Sequence, residues 1–300
     1  MNKETTNAEL RGNLLLDEPM SKHTSWRIGG SVDRYYQPAD INDLASFLAQ
    51  QEKDEPIYWL GLGSNLLVRD AGLRGTVIAT SGVLNGLELV DKTLVRAEAG
   101  VPCAKVARFC ARAGLSGAEF LAGIPGVVGG ALAMNAGAFG GETWHVVKSV
   151  ETISKTGQRQ FRTPEEFEIA YRHVSGPSGE WFVAANLQLS LGIDSGALQS
   201  RIKSLLAKRG ASQPTSLPNA GSVFKNPEGD YAARLIEVSG LKGTCEGAAC
   251  VSEKHANFII NTGGATAHEV ETLIKRIIRV VKEKHGVELQ PEVHIIGAAE

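Results

Sequence analysis

Between Gly114 and Gly141 the chain reads GLSGAEFLAGIPGVVGGALAMNAGAFGG, with nine glycines in 28 residues, no lysine or arginine, and Glu119 as its one acid. The stretch is too apolar for a disordered linker and too broken by glycine for one helix. Such a segment can bring main-chain N–H groups against a phosphate or a flat ring and hold it without cationic side chains. The same composition suits a close-packed loop with no ligand, and composition leaves both readings open. A second turn, GLGSNLL at 61–67, begins like the fingerprint G-x-G-x-x-G, but Leu66 stands where the third glycine belongs. The residues from Leu66 onward read as strand rather than helix, so a Rossmann unit is rejected. Ser64, Asn65 and the adjoining amides either face a pyrophosphate or form a plain turn. The four cysteines (103, 110, 245, 250) make no C-x-x-C pair, and His23, His145 and His173 lack metal-binding spacing, so no metal is assigned.

The elements that must position these loops are readable in part. Three hundred residues suggest about two domains, and 43% hydrophobic with 21% charged residues is ordinary for a globular chain. A net charge of −2 argues against a broad nucleic-acid surface. The N-terminal MNKETTNAELRGN has no signal-peptide core, and no apolar run approaches the roughly 18 residues of a membrane span, so a reducing cytoplasm is the expected compartment. Few structural signals precede residue 20. Strands are expected at 33–37, 57–62, 66–69 and 76–80, with a helix capped by Asp40 between the first two. Next come a hairpin at 87–99, a helix from Pro102 to Gly114 that buries Cys103 and Cys110, and strands at 146–154, 158–162 and 181–191. Asp194 opens a helix that stops at Gly210. Beyond it come a helix at 232–239, strands at 248–251 and 258–261, a long amphipathic helix with the capping box Thr266/Glu269, and a last strand at 287–296. Mixed helices and strands in this order argue α+β.

Taken together, several stretches resemble the UDP-N-acetylenolpyruvoylglucosamine reductases, flavin enzymes of peptidoglycan precursor synthesis. They are HTSWRIGG (23–30), GLGSNLLVRD (61–70), EFLAGIPGVVGGALAMNAGAFGG (119–141), AYR (170–172), AGSVFKNP (220–227), LIEVSGLKG (235–243), VSEKHANFIIN (251–261) and PEVHIIG (291–297), in the family's order. Fifty residues from Arg172 to Ser222 match the compact second type of the family. The resemblance implies an FAD-binding module of the vanillyl-alcohol-oxidase type in two subdomains, residues 21–80 and 81–191. It implies an N-terminal extension over 1–20 and a C-terminal α+β substrate-binding domain over 192–300. It further implies NADPH-dependent reduction of UDP-N-acetylglucosamine enolpyruvate to UDP-N-acetylmuramate.

The resemblance also assigns roles. The substrate's carboxylate is already anionic, and hydride addition at the terminal carbon pushes more charge onto it, so a fixed cation, an acid and a proton donor are needed. Arg172 matches the cation, Ser222 the donor and Glu292 the acid. Read without the resemblance, the first is a surface arginine, the second a turn cap and the third a solvent-facing glutamate. Tyr171, Lys225 and Asn226 match substrate contacts. Noncovalent FAD is expected on Trp26, Arg27, Ile28, Gly29 and Gly30; on Gly61, Leu62, Gly63, Ser64 and Asn65; and on Ala122, Gly123, Ile124, Pro125, Gly126, Val127, Gly129, Gly130 and Ala131. Val127 stands where many relatives carry Thr, and Asn219 where many carry Ser. An FAD oxidase of the same fold would share the glycine loops but not the Arg172, Ser222 and Glu292 set. Oligomeric state is not predicted.

Overall fold

Asp43 N donates to the Asp40 carboxylate and starts α1, Ile41–Ala49, which buries Ile41, Leu44, Phe47 and Leu48. The computed structural model describes residues 10–52, 54–192 and 194–298; residues 1–9 of the expected N-terminal extension lie outside them. α1 packs between two sheets, touching Tyr36 and Ile78 of the first and Ile153 and Val183 of the second.

The first sheet has the order Asn13–Pro19, Ser31–Gln37, Leu73–Ala79, Ile57–Leu60, with an antiparallel first pair and parallel neighbours after it. Asn13–Pro19 therefore belongs to the sheet and is not an extension. Its Leu14 and Leu16 are exposed, and main-chain pairing holds it, so it carries almost no burial pattern. The second sheet is antiparallel, ordered Arg159–Arg162, Val147–Ser154, Glu180–Gln188, Leu94–Glu98, Leu87–Asp91. Its last expected strand breaks at Leu189, whose N–H turns to Thr93 O, and Ser190–Leu191 pairs instead with Leu115–Ser116.

Helices α2 (Cys103–Arg112) and α3 (Val128–Ala133) share a core with this second sheet, in which Cys103 and Cys110 are fully buried. α4, Ser195–Ser212, is capped by Asp194 and runs past Gly210. Its Leu198 and Ile202 enter the same core. Packing of α4 thus carries this core to Ile202, beyond the boundary expected near Gly192.

A further core combines α5 (Ala232–Val238), α6 (Ala267–His285) and a three-stranded sheet of Cys245–Glu246, Ala249–Val251 and Ile259–Asn261. α6 has the expected capping box and ends at Gly286, whose φ of 70° suits glycine. Cys245 and Cys250 pair across the hairpin as a disulfide. Trp26, Ile28 and Leu67 are members of this core although they come from early in the chain. The last strand is short, His294–Ile296, and pairs in parallel with Leu66–Val68. Residues 287–293 do not continue it, because Gln290 O and Glu292 N bond to Lys225 N and Val223 O of a loop instead. Among the described residues no helix is long and apolar enough to cross a membrane.

Candidate active site

A cavity of about 510 Å³ lies where the glycine-bearing loops face the C-terminal domain. Gly61–Asn65, Gly123–Val127, Gly130 and Ala131 line one part; Tyr171, Arg172, Ser222 and Glu292 line another. The volume is within the range of about 300–1,000 Å³ usual for ligand pockets. Among the described residues, the main-chain N–H groups of Leu62, Gly63, Ser64, Asn65, Gly126 and Val127 have no protein acceptor. The indole N–H of Trp59, another lining residue, is buried without a partner. Neither loop carries an acidic side chain. Unpaired donors on two acid-free loops fit a diphosphate-bearing flavin.

The donors are held in place from behind. Gly63 O accepts from Ser25 N at 3.1 Å and from Ser25 Oγ at 3.2 Å. A Cβ on Gly61 would lie 2.5 Å from Val127 Cγ2, so the two loops touch only because that position is glycine. On the opposite side, Cys103 N donates to Gly126 O and Gly129 N to Ala99 O.

The charged cluster is built from four segments. A two-residue turn between Glu168–Ala170 and His173–Ser175 carries Tyr171 and Arg172. Arg172 sits at φ 53°, a left-handed conformation that costs an arginine roughly 1 kcal/mol. Three hydrogen bonds oppose that strain: Nε to Glu292 Oε1 at 2.9 Å, Nη1 to Asn135 O at 3.3 Å and Nη2 to Gly137 O at 3.1 Å. A guanidinium has five N–H donors, so two remain, one on each terminal nitrogen. The guanidinium carbon also lies 5.0 Å from the Tyr171 ring centre, within cation–π range.

Glu292 is bracketed on its main chain. Its N–H donates to Val223 O at 2.7 Å, and its carbonyl accepts from Asn65 Nδ2 at 3.1 Å. Burial raises the Glu292 carboxyl above the usual carboxylate value, although Arg172 and Lys225 pull it down. His294, two residues on, also lines the cavity and is shifted down by burial and by Lys225.

Ser222 follows Gly221, whose φ of 75° gives the chain its turn. Buried Asn257 grips the next residues: its Oδ1 accepts from Phe224 N at 3.0 Å and its Nδ2 donates to Phe224 O at 2.8 Å. Asn219 Oδ1 accepts from Gly221 N, and its Nδ2 donates to Pro214 O and Leu217 O. The departure at 219 therefore orders the approach to Ser222.

The expected sites are only partly gathered. Gly61–Asn65, Gly123–Val127, Gly130, Ala131, Tyr171, Arg172, Ser222, Asn226 and Glu292 all line the cavity. Ala122 and Gly129 support it from the core side. Lys225 does not line it but acts electrostatically on Glu292 and His294. Asn226 uses its Oδ1 to accept from Ala232 N at the start of α5, leaving its amide donors.

None of Trp26–Gly30, expected to contact FAD, lines the cavity. Trp26 is fully buried, donating from Nε1 to Ile259 O at 2.7 Å. Ile28 packs into the same core, Arg27 points outward, and Gly29 and Gly30 lie against Val68 and Asp70. The Gly63 turn is held by the residue just before this segment, Ser25, through Gly63 O. Sequence reasoning missed Asn135, Gly137, Phe139, Arg209, Gln213 and His294. The side chain of Arg209, on the last turns of α4, bonds only to Gln213 among the described residues and has no acidic partner. Its place just before Gly210 was the available signal, but it reads there as an ordinary helix C-terminus.

A model of the UDP-N-acetylenolpyruvoylglucosamine reductase C-terminal domain matches residues 213–296, and an FAD binding domain model matches 32–160. The chain is 59% identical over 283 residues to a UDP-N-acetylenolpyruvoylglucosamine reductase of Alkalilimnicola ehrlichii, covering 94% of each protein. A reductase of the same name from Methylococcus capsulatus is 58% identical over 295 residues, covering 98% of this chain and 97% of that one. The crystal structure of the Thermus caldophilus enzyme of that description superposes with a TM-score of 0.79 at 32% identity, over 96% of this chain and 99% of that one.

Proposed function

We propose, since this chain belongs to the UDP-N-acetylenolpyruvoylglucosamine reductase family, that this cleft serves both halves of an NADPH-dependent reduction. The substrate is UDP-N-acetylglucosamine enolpyruvate, the product UDP-N-acetylmuramate, the cofactor noncovalent FAD and the compartment the cytoplasm. When bound, the flavin supplies the two-electron relay between NADPH and the enolpyruvyl double bond. The main-chain donors of Leu62–Asn65, Gly126 and Val127 would hold its diphosphate.

The remaining chemistry belongs to side chains. The two unused N–H groups of Arg172 grip the substrate carboxylate in a fork and stabilise the second charge that grows there. Glu292, whose carboxyl burial holds above the ordinary carboxylate value, sits against the same guanidinium as the acid beside the growing charge. Ser222 delivers the proton to the carbon beside the carboxylate. Arg209, a cation without an acid partner, and Lys225 attract the nucleotide diphosphate, and the free amide of Asn226 meets the sugar. The observation that carries this reading is the Arg172–Glu292 contact inside the cavity lined by Ser222 and by the unpaired amides.

The test is anaerobic. NADPH should bleach the yellow protein, and the enolpyruvyl substrate should then restore its colour, with parallel-line kinetics in the steady state. A protein that NADPH bleaches but the substrate fails to recolour would end this reading.

A further inference from the structure

Asn135 stands where the contacts of Arg172 converge. Its main-chain carbonyl and that of Gly137 take the two terminal nitrogens of the guanidinium. Its side chain is 2% exposed and fully engaged. Nδ2 donates to Glu142 Oε2 at 2.9 Å and to Ala170 O at 3.2 Å, while Oδ1 accepts from Trp144 N at 3.2 Å. Ala170 ends the strand that leads into the turn bearing Arg172, Glu142 closes the short hairpin that begins at Gly137, and Trp144 lies in the turn after it. One amide therefore fastens the root of the arginine's turn to the segment whose carbonyls hold its tip.

Asparagine suits the position in two ways. Its φ is 40°, in the left-handed region that asparagine and glycine adopt most readily. Aspartate would set a carboxylate against that of Glu142 and lose both donors; alanine would leave Trp144 N–H and Ala170 O without their partner.

We infer that Asn135 is the positioning residue for Arg172, fixing the guanidinium so that its two free N–H groups face the substrate carboxylate. The inference rests on the role proposed for Arg172. A misplacement of about 1 Å costs on the order of 100-fold in rate, so the effect belongs to the substrate half-reaction.

The experiment monitors reoxidation of NADPH-reduced holoenzyme by the enolpyruvyl substrate in a stopped-flow cell, for Asn135→Gly, Arg172→Lys and the double variant. Glycine keeps the backbone conformation and removes the amide. Expected for Asn135→Gly are retained FAD, unchanged flavin reduction and reoxidation slower by about 10–100-fold, with a smaller change in substrate affinity. The double variant should lie within about twofold of Arg172→Lys, because the two residues act through one group. Multiplying effects, or equal slowing of both half-reactions, would overturn the inference. So would wild-type reoxidation in Asn135→Gly when Arg172→Lys is slow, with the Arg172 role left standing. Wild-type rates in Arg172→Lys would remove that role and this inference with it. Should the glycine variant fail to accumulate, Asn135→Asp carries the test. Beside the Glu142 carboxylate, the one charged side chain the Asn135 amide contacts among the described residues, the new carboxyl regains a donor only when protonated. Its reoxidation rate should therefore climb toward wild type on acidification; a profile parallel to wild type sinks the inference.

Discussion

Arg172 Nε meets Glu292 Oε1 at 2.9 Å, although 120 residues separate the two in the chain. Their side chains are 17% and 15% exposed, so the contact is partly shielded yet reachable. The arginine comes from a turn beside the second sheet, the glutamate from the segment before the last strand. Neither domain holds the pair alone, so the site exists only where the two meet.

If Ser222 is the proton donor, Ser222→Ala should leave flavin reduction by NADPH nearly unchanged and slow reoxidation by roughly 10²–10⁴-fold. Substrate affinity should barely move, because the hydroxyl acts in the transition state. A serine that only caps its turn would instead show about 1 kcal/mol of lost stability with both half-reactions intact. Stopped-flow absorbance separates these outcomes.

Glu292 gives a pH-dependent stability. Its folded carboxyl lies above the ordinary value of 4.5, so the fold disfavours its charged form. This contribution is fully favourable below the unfolded value and is lost as pH rises through the folded one. Glu292→Gln mimics the protonated acid and escapes the loss. The variant's urea midpoint should therefore gain on wild type as pH climbs from about 4 to about 7. A gain that shrinks over that range would mean Arg172 stabilises the carboxylate more than burial penalises it.

Gly130 lies on α3, lines the cavity and has nothing within 4 Å of a built Cβ. Gly130→Leu should keep or raise stability, since glycine inside a helix costs about 1 kcal/mol relative to alanine. The side chain would occupy space assigned to the cofactor, so FAD content should fall at least tenfold. Purified Gly130→Leu that remains fully yellow would show that α3 faces something else.

Asn257 satisfies both main-chain groups of Phe224 from a buried position. Asn257→Ala strands them and should cost about 2–4 kcal/mol by urea unfolding. It should also slow the substrate half-reaction more than the NADPH half-reaction, because the loop bearing Ser222 is loosened. A stability loss with equal rates in both halves would mean that Asn257 holds the fold but not the donor.

The legible parts of the chain were those with strong local signals. Asp40, Asp194 and Thr266 cap their helices, Gly286 ends α6, and Cys103 and Cys110 are buried. Segments whose structure depends on distant partners were not legible. Asn13–Pro19 is an exposed edge strand fixed only by pairing, and residues 287–293 look extended but spend Gln290 O and Glu292 N on a loop. In the site, glycine-rich loops announce themselves by composition, whereas Arg172 and Glu292 carry no local mark. Trp26 carries no local mark of its burial, since its indole donates to a carbonyl 233 residues away. Asn135 was hidden for the same reason: its partners at 142, 144 and 170 converge only through tertiary structure.

The burial of Trp26, Ile28 and Leu67 in the C-terminal core limits how the chain can be divided. A cut near residue 213 leaves the front fragment with an uncovered apolar face and the rear fragment with a hole in its centre. Chimaeras assembled from two relatives at that breakpoint would pair a tryptophan plug from one parent with a socket from the other. Viable recombinants should be those in which residues 24–30 and 66–68 travel with 213–296, so inheritance tracks the packed core and not the linear order of domains.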